Sequence, residues 1–254
     1  MIDTHAHLNM DDFNDDMDQV IKRAKENGLS HIIVIGMDHK SSLRAIELAE
    51  TYDMVYATVG LHPGYVDEGD LDFIKPLLKH PKVLGIGECG LDFYWRKDNE
   101  EKQREAFKYQ IELAKETGLP LVIHTRNSFV EAYEMVSPLK GEIKGVFHCF
   151  SSDVKDAIKT TELGFYVGID GPITYKKNED LIDIVKAIDL NYLLIETDSP
   201  FLTPTPLRGK RNEPGYVKFV LEKLANVLNI DQKTLDAQTT HNTHKLFNLG
   251  GKNT

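Results

Sequence analysis

The sequence contains little of what distinguishes secreted and membrane proteins. Its two cysteines, Cys89 and Cys149, are too few for a disulfide framework and suit a reducing compartment. No stretch of about 18 apolar residues occurs, and the first residues lack a basic segment followed by an apolar run. We therefore expect a cytoplasmic protein that does not bind a membrane.

Positive charge is also scarce. The chain has 30 Lys and Arg residues against 40 Asp and Glu residues, which gives a formal net charge of -10. Domains that hold nucleic acid by bulk attraction usually carry a basic face, so this balance argues against that mode of binding. An anionic substrate must therefore be bound by a few local groups. The sequence indicates no obligate protein partner.

The chain has no Ser/Gly-rich linker and no low-complexity tract that would separate domains. Short β-branched apolar runs alternate with longer amphipathic segments instead, which predicts alternating strands and helices. The predicted strands cover residues 2–5, 31–36, 55–60, 83–88, 120–124, 144–149, 164–169 and 192–197. The predicted helices lie near 15–28, 40–52, 70–79, 99–117, 127–137, 153–163, 178–188 and 214–229, and one or two more are expected after residue 230.

Eight strand–helix units in one chain favour a closed parallel barrel. A doubly wound open sheet would need a topological switch and usually a glycine-rich phosphate loop after its first strand, and no such loop follows residues 2–5. An open α/β sheet stays the alternative. We predict that residues 1–254 form a single domain, a (β/α)8 TIM barrel with extra C-terminal helices.

Side chains that bind metals stand at the ends of several predicted strands. His5 and His7 are two residues apart, so both can point to the same face of the first strand. A His-x-His pair alone is weak evidence, but in a barrel the carboxyl ends of all strands converge on one mouth, where active sites of this fold lie. Six residues at the ends of five strands share this placement: His5, His7, Glu88, His124, His148 and Asp198.

Four imidazoles and two carboxylates are too many ligands for one tetrahedral ion and suit two divalent ions, such as Mg, Mn or Zn. Two ions lower the pKa of a shared water and stabilise charge on substrate oxygens, so the predicted reaction is metal-assisted hydrolysis. Asp198 and Glu88 are the predicted catalytic carboxylates, and Asp198 takes or relays the proton. The predicted division places His5, His7 and Asp198 around one ion, His124 and His148 around the other, and Glu88 between them.

Other residues near the same mouth are candidates for holding the substrate. His62 and Arg126 are predicted to bind a phosphate oxygen, although an Arg in such a loop is equally often a surface ion-pair partner. The segment 208–214, RGKRNEP, is the strongest basic cluster, and its Arg208 is predicted to bind a phosphodiester backbone. Asp3 and Asp92 are candidates for orienting the imidazoles.

The motifs THAHL, GLHP, IGECGLDF, IHTR, FHCFS, ETDSPFL, RGKRNEP and TTHNTHKLF occur in this order. With them the sequence resembles TatD-like metal-dependent deoxyribonucleases over nearly its entire length. The resemblance implies an amidohydrolase-type barrel with a divalent metal centre and assigns metal ligation to the same six residues. The resemblance also implies a substrate that the spacing does not: DNA, cleaved at phosphodiester bonds from an end of a single strand.

The sequence departs from the family pattern at three positions. Ser152 stands where the family usually has Gly, and Asn127 and Ser128 replace the more usual acidic and small residues. A side chain at Ser152 is expected to narrow the approach to the second metal and so to affect substrate preference. Two other functions stay open: an amidohydrolase-type esterase such as a D-aminoacyl-tRNA deacylase, and a non-catalytic binding barrel. The intact ligand set argues against the second.

Overall fold

The computed structural model describes residues 1–67, 69–95 and 98–249. Eight strands form one sheet in which the spatial order follows the chain order and each pair of neighbours is parallel. The strands are β1 (Ile2–Ala6), β2 (His31–Ile35), β3 (Val55–Val59), β4 (Val83–Asp92), β5 (Leu121–Arg126), β6 (Gly145–Phe147), β7 (Tyr166–Ile169) and β8 (Leu193–Ile195).

The first and last strands close this sheet into a barrel. Ala6 pairs with Ser199 in a parallel bridge just beyond β8. The amide of His7 donates to the carbonyl of Ser199 at 2.7 Å, and the amide of Asp198 donates to the carbonyl of His5 at 2.9 Å. The predicted (β/α)8 barrel is therefore confirmed, and the alternative of an open sheet is wrong.

Helices alternate with the strands as predicted. The predicted helix over 70–79 is only one turn long, from Ile74 to Leu77. One further helix follows residue 230 in the described part of the chain. The helices are α1 (Met17–Glu26), α2 (His39–Thr51), α3 (Ile74–Leu77), α4 (Glu100–Thr117), α5 (Phe129–Val136), α6 (Val154–Leu163), α7 (Glu179–Ala187), α8 (Val217–Leu228) and α9 (Gln232–Phe247).

Apolar side chains fill the amino-terminal end of the barrel interior, and α9 covers that end. Leu246 and Phe247 of α9 belong to the same buried cluster as the inward-facing residues of the strands. The side-chain amide of Asn242 donates to the carbonyls of Leu190 at 2.7 Å and Leu193 at 2.8 Å, which fixes α9 against β8. The strand residues of this cluster are Ile2, Ile33, Ile35, Leu84, Val122, Val146, Tyr166 and Leu194.

A second and larger apolar layer lies between the strands and the surrounding helices. Because apolar side chains fill the amino-terminal end of the barrel interior, the barrel is open at the carboxyl ends of its strands. Among the described residues, no helix combines the length and apolar content that crossing a bilayer requires.

Candidate metal centre

The six residues predicted as metal ligands meet at the open end of the barrel. Glu88 lies at their centre. Its Oε1 is 2.8 Å from Nε2 of His148 and 3.0 Å from Nδ1 of His124. Its Oε2 is 3.5 Å from Nε2 of His5 and 3.7 Å from Nε2 of His7. Each oxygen of one carboxylate therefore faces a different pair of imidazoles.

Asp198 completes the group around the first pair of histidines. Its Oδ1 is 3.2 Å from Nε2 of His7 and 3.5 Å from Nε2 of His5. The backbone of Asp198 is left-handed, with φ of 56°, a conformation that Asp tolerates better than most residues. The hydrogen bond from the backbone amide of Asp198 to the carbonyl of His5 holds this turn. The side chain of Asp198 therefore points back toward β1.

The close approach of β4 to β5 brings Glu88 and His124 together. Gly90, two residues after Glu88, has φ of 128°, and a Cβ there would lie 2.1 Å from the carbonyl oxygen of His124. Only glycine fits this position. β4 also extends four residues beyond the predicted end at residue 88, and its last residue, Asp92, pairs with Arg126.

Both central carboxylates are held in the charged form. Burial alone raises the pKa of Glu88, but the surrounding imidazoles, His148 foremost, outweigh it, and the pKa lies well below its ordinary value. Burial likewise raises the pKa of Asp198, but the hydrogen bond with His7 and the charges of the neighbouring imidazoles together outweigh it, so the pKa lies below its ordinary value. Anionic carboxylates are the form that binds a cation.

The arrangement around the first pair fits a divalent cation. Nε2 of His5 and Nε2 of His7 are only 3.2 Å apart, and both face the same oxygen of Asp198. His5 is fully buried and His7 is 3% exposed, and the 3.2 Å between their Nε2 atoms leaves no room for a water molecule between these electron-pair donors. Buried donors that face one point need protons or a cation between them. Groups with ligand atoms within 4.8 Å of one another are His5, His7 and Asp198; His5, Glu88 and His148; and His62, Glu88 and His124.

His62 joins the cluster as a hydrogen-bond donor. Its Nδ1 accepts from the amide of Gly64 at 2.9 Å, so the neutral ring carries its proton on Nε2. That Nε2 lies 3.6 Å from Oε1 of Glu88. Burial lowers the pKa of His62 to about 3, so the ring is neutral at pH 7. His62 therefore offers an N–H to the cavity, whereas a metal ligand would have to offer a lone pair.

Two carboxylates contact the far sides of the imidazoles, and the sequence predicted one of them. Asp92 Oδ2 is 3.1 Å from Nε2 of His124. Glu196 Oε1 is 3.6 Å from Nδ1 of His148 and accepts from the amide of Cys149 at 2.5 Å. Sequence reasoning missed Glu196, although a glutamate directly after the apolar run YLLI was the available signal. Asp3 instead accepts from the backbone amide of His5 at 3.3 Å and does not reach its ring.

The cluster opens into a cavity of about 1000 Å³. A second cavity of about 960 Å³ adjoins it, and Thr125, Arg126 and Ser151 border both. Arg126, predicted to bind substrate, thus stands where the two cavities meet. Ser152 borders the second cavity and not the first, and its hydroxyl bonds to Asp156 at 2.5 Å.

The basic segment 208–214 does not border either cavity. Arg208 is exposed, and its guanidinium lies 4.0 Å from the ring centroid of Tyr175. Arg211 forms two hydrogen bonds of 2.8 Å with Asp16. Part of the positive charge that looked available for a substrate is therefore neutralised within the fold.

Comparison with known proteins identifies the family. The family model described as TatD related DNase matches residues 2–248. The chain belongs to this family. The predicted resemblance is confirmed, and the chain is a TatD-family metal-dependent hydrolase.

Several TatD relatives align over almost the full chain. An uncharacterized metal-dependent hydrolase of Bacillus subtilis, YabD, is 42% identical over 98% of this chain and 99% of its own. A protein of Erwinia tasmaniensis named 3'-5' ssDNA/RNA exonuclease TatD is 32% identical over 98% of this chain and 100% of its own. The crystal structure of the TatD homologue YJJV of Escherichia coli superposes with a TM-score of 0.91 at 29% identity, covering 98% of both chains.

Proposed function

We propose that this TatD-family protein is a two-metal phosphodiesterase that shortens single-stranded DNA from an end. The observation that carries the proposal is the Glu88 carboxylate, whose two oxygens face two separate pairs of imidazoles. The substrate class is supported by the Erwinia tasmaniensis relative, which is named as an exonuclease of single-stranded DNA and RNA.

The proposed ligands form two groups, according to which oxygen of Glu88 each imidazole faces. Glu88 gives one oxygen to each group, and Mg, Mn or Zn is compatible with mixed imidazole and carboxylate ligands. When bound, two divalent ions make water at the site more acidic and offset the charge of the substrate phosphate. His5, His7 and Asp198 form the first group, and His124 and His148 form the second.

Three residues are proposed to act on the substrate itself. Asp198, with 14% of its side chain exposed, faces the cavity and accepts the proton of the attacking water. His62 donates a hydrogen bond from its Nε2–H to a phosphate oxygen, and Arg126 at the rim binds a neighbouring phosphate. Binding of a more distant phosphate by the exposed Arg208 stays a prediction.

The proposal can be tested on the full chain by removing bound metal with a chelator and then adding back Mg, Mn or Zn. We expect shortening of end-labelled single-stranded DNA to disappear on stripping, to return with metal, and to be lost in His124→Ala. Elemental analysis should find two ions per chain. Glu222→Gln, an exposed acid on α8 that borders neither cavity, is the control and should behave as the parent does. Activity above background that survives both chelation and His124→Ala contradicts the proposal.

The alternative, deacylation of D-aminoacyl-tRNA, would use the same metal centre. The same preparations, assayed on charged tRNA, separate the two functions. Only a nuclease shortens a polynucleotide, whereas a deacylase releases the amino acid and leaves the chain length unchanged.

A further inference from the structure

Two large aromatic side chains lie exposed where the two cavities meet. Tyr94 is 51% exposed and Trp95 is 68% exposed, unusual values for residues that normally bury most of their surface. Trp95 borders the cavity of the metal centre, and Tyr94 borders the adjoining one. The ring centroids are 4.9 Å apart and the rings are nearly perpendicular. The pair therefore presents aromatic surface to both cavities.

Arg126 adds a positive charge to this surface. Its guanidinium carbon lies 4.2 Å from the ring centroid of Tyr94 and 5.2 Å from that of Trp95. Arg126 is itself exposed and borders both cavities. A cation beside exposed rings is what proteins use to hold a strand, since the charge binds phosphate and the rings stack with bases.

One carboxylate holds the aromatic pair in a fixed relation to the metal centre. Oδ1 of Asp92 accepts from the backbone amides of Tyr94 at 2.9 Å and Trp95 at 3.1 Å. Its other oxygen, Oδ2, contacts Nε2 of His124 at 3.1 Å. The turn that carries the rings is therefore tied to an imidazole of the cluster, so the aromatic surface has a set position relative to the metal centre.

We propose that Tyr94, Trp95 and Arg126 form a subsite for the nucleotide next to the scissile phosphodiester. The base stacks on the exposed rings and its phosphate binds Arg126. This inference rests on the proposed phosphodiesterase function and adds the group that selects its substrate. Every base has a π face, so the subsite tolerates any sequence. A base within a duplex is already stacked on its neighbours, so the subsite favours an unpaired strand.

Binding can be measured directly because Trp95 is the only tryptophan of the chain. Its fluorescence therefore reports on this position alone. We expect a phosphorothioate oligothymidylate, which resists hydrolysis, to quench the emission of the metal-loaded protein in a saturable manner. Blunt duplex DNA and inorganic phosphate should leave the emission unchanged. Equal quenching by the duplex, or no quenching by the single strand, overturns the subsite.

Kinetics separate failure of the subsite from failure of the proposed function. Trp95→Ala should raise KM for a single-stranded hexanucleotide by about 5- to 100-fold, the range expected for loss of one stacked base. Its effect on the KM for methyl p-nitrophenyl phosphate, a small diester with no neighbouring nucleotide, should be much smaller. Trp95→Phe should recover most of the affinity, and Leu43→Ala, an exposed residue of α2, is the matched control.

The outcomes are distinct. If the parent cleaves both substrates and Trp95→Ala keeps the parent KM on the hexanucleotide, the subsite is wrong and the phosphodiesterase stands. If the metal-loaded parent cleaves neither substrate, the proposed function is wrong and the subsite falls with it.

Discussion

Individual side chains outside the cavity position the imidazoles that line it. Glu196 is 1% exposed and lies behind His148, with one oxygen fixed by the amide of Cys149. Its second oxygen has room only because residue 168 is glycine, where a Cβ would come within 2.4 Å. Carboxylates in this position orient a metal-binding imidazole and raise its basicity.

Replacing Glu196 with glutamine should weaken metal binding without unfolding the chain. Glutamine keeps an oxygen for the amide of Cys149 but loses the negative charge that faces His148. We expect the affinity for Mn to fall by about 10- to 100-fold in a calorimetric titration. Glu222→Gln is the control. Parent-like affinity in Glu196→Gln would show that the charge of this residue does not act through His148.

His62→Ala should separate substrate binding from metal binding. Because Nδ1 of His62 is occupied by the amide of Gly64, the ring acts as a donor, and its removal should leave the metal content unchanged. We expect kcat/KM to fall by about 10²- to 10³-fold, as for loss of a donor to developing charge. His124→Ala, in contrast, should lose bound metal. Loss of an ion from His62→Ala would show that His62 is a ligand.

The residues at the strand ends could be predicted from the sequence. The carboxylate of Glu196, which contacts the far side of the His148 imidazole, could not. His124 and His148 follow apolar runs, and parallel strand ends converge in a barrel, so their meeting could be predicted. Glu196 and His148 follow strands that are separated by β7, and they come into contact across Gly168 of that strand, an approach that the sequence does not display. Arg211 appeared available to a substrate because its partner, Asp16, lies far away in the chain.

Among the elements, α9 has a role that its sequence does not reveal. The last turn of α9 places Leu246 and Phe247 at the amino-terminal end of the barrel interior. Phe247 packs so closely against β4 that a Cβ at Gly85 would lie 3.4 Å from its ring. Most residues of this helix are polar, with Thr the commonest, so it could be predicted as an extra helix but not as the base of the interior. The strands, with long apolar runs, were predicted within a few residues of their observed bounds.

Truncation of Phe247 should measure how much α9 contributes to stability. Phe247 is 2% exposed, and its removal would leave a cavity at the base of the barrel. We expect Phe247→Ala to lower the free energy of unfolding by about 3–5 kcal/mol in urea. Leu43→Ala, on an exposed face of α2, should change it by less than about 0.5 kcal/mol. Similar values for the two variants would mean that α9 packs loosely.

Across the whole molecule, a network of charges joins α1 to the long loop after β8. Arg211 binds both oxygens of Asp16 at 2.8 Å, and Arg23 binds Asp16 at 3.0 Å and Glu213 at 2.7 Å. The hydrogen bonds with Arg211 are the main reason that the pKa of Asp16 is lowered to about 2. The network links parts of the barrel that are far apart in sequence.

Acid should weaken this link. Because the pKa of Asp16 is lower in the folded chain, its contribution to stability is complete above about pH 4 and is lost as the pH falls through about 2. We expect Asp16→Asn to cost roughly 1 kcal/mol at pH 6, discounted because a third of the side chain is exposed. The difference between parent and variant in urea unfolding should shrink at pH 3. A difference that does not change with pH would contradict the assigned pKa.

The barrel closes between β1 and β8, and the proposed metal ligands lie on both sides of this closure. Asp3 and Thr197, which bond across β1 and β8, are 194 positions apart, so this closure carries a large chain-entropy cost. His5 and His7 lie on one side of that join and Asp198 on the other. A cation held by all three stabilises only the joined state, in proportion to its free concentration. Loss of metal should therefore weaken the join between β1 and β8.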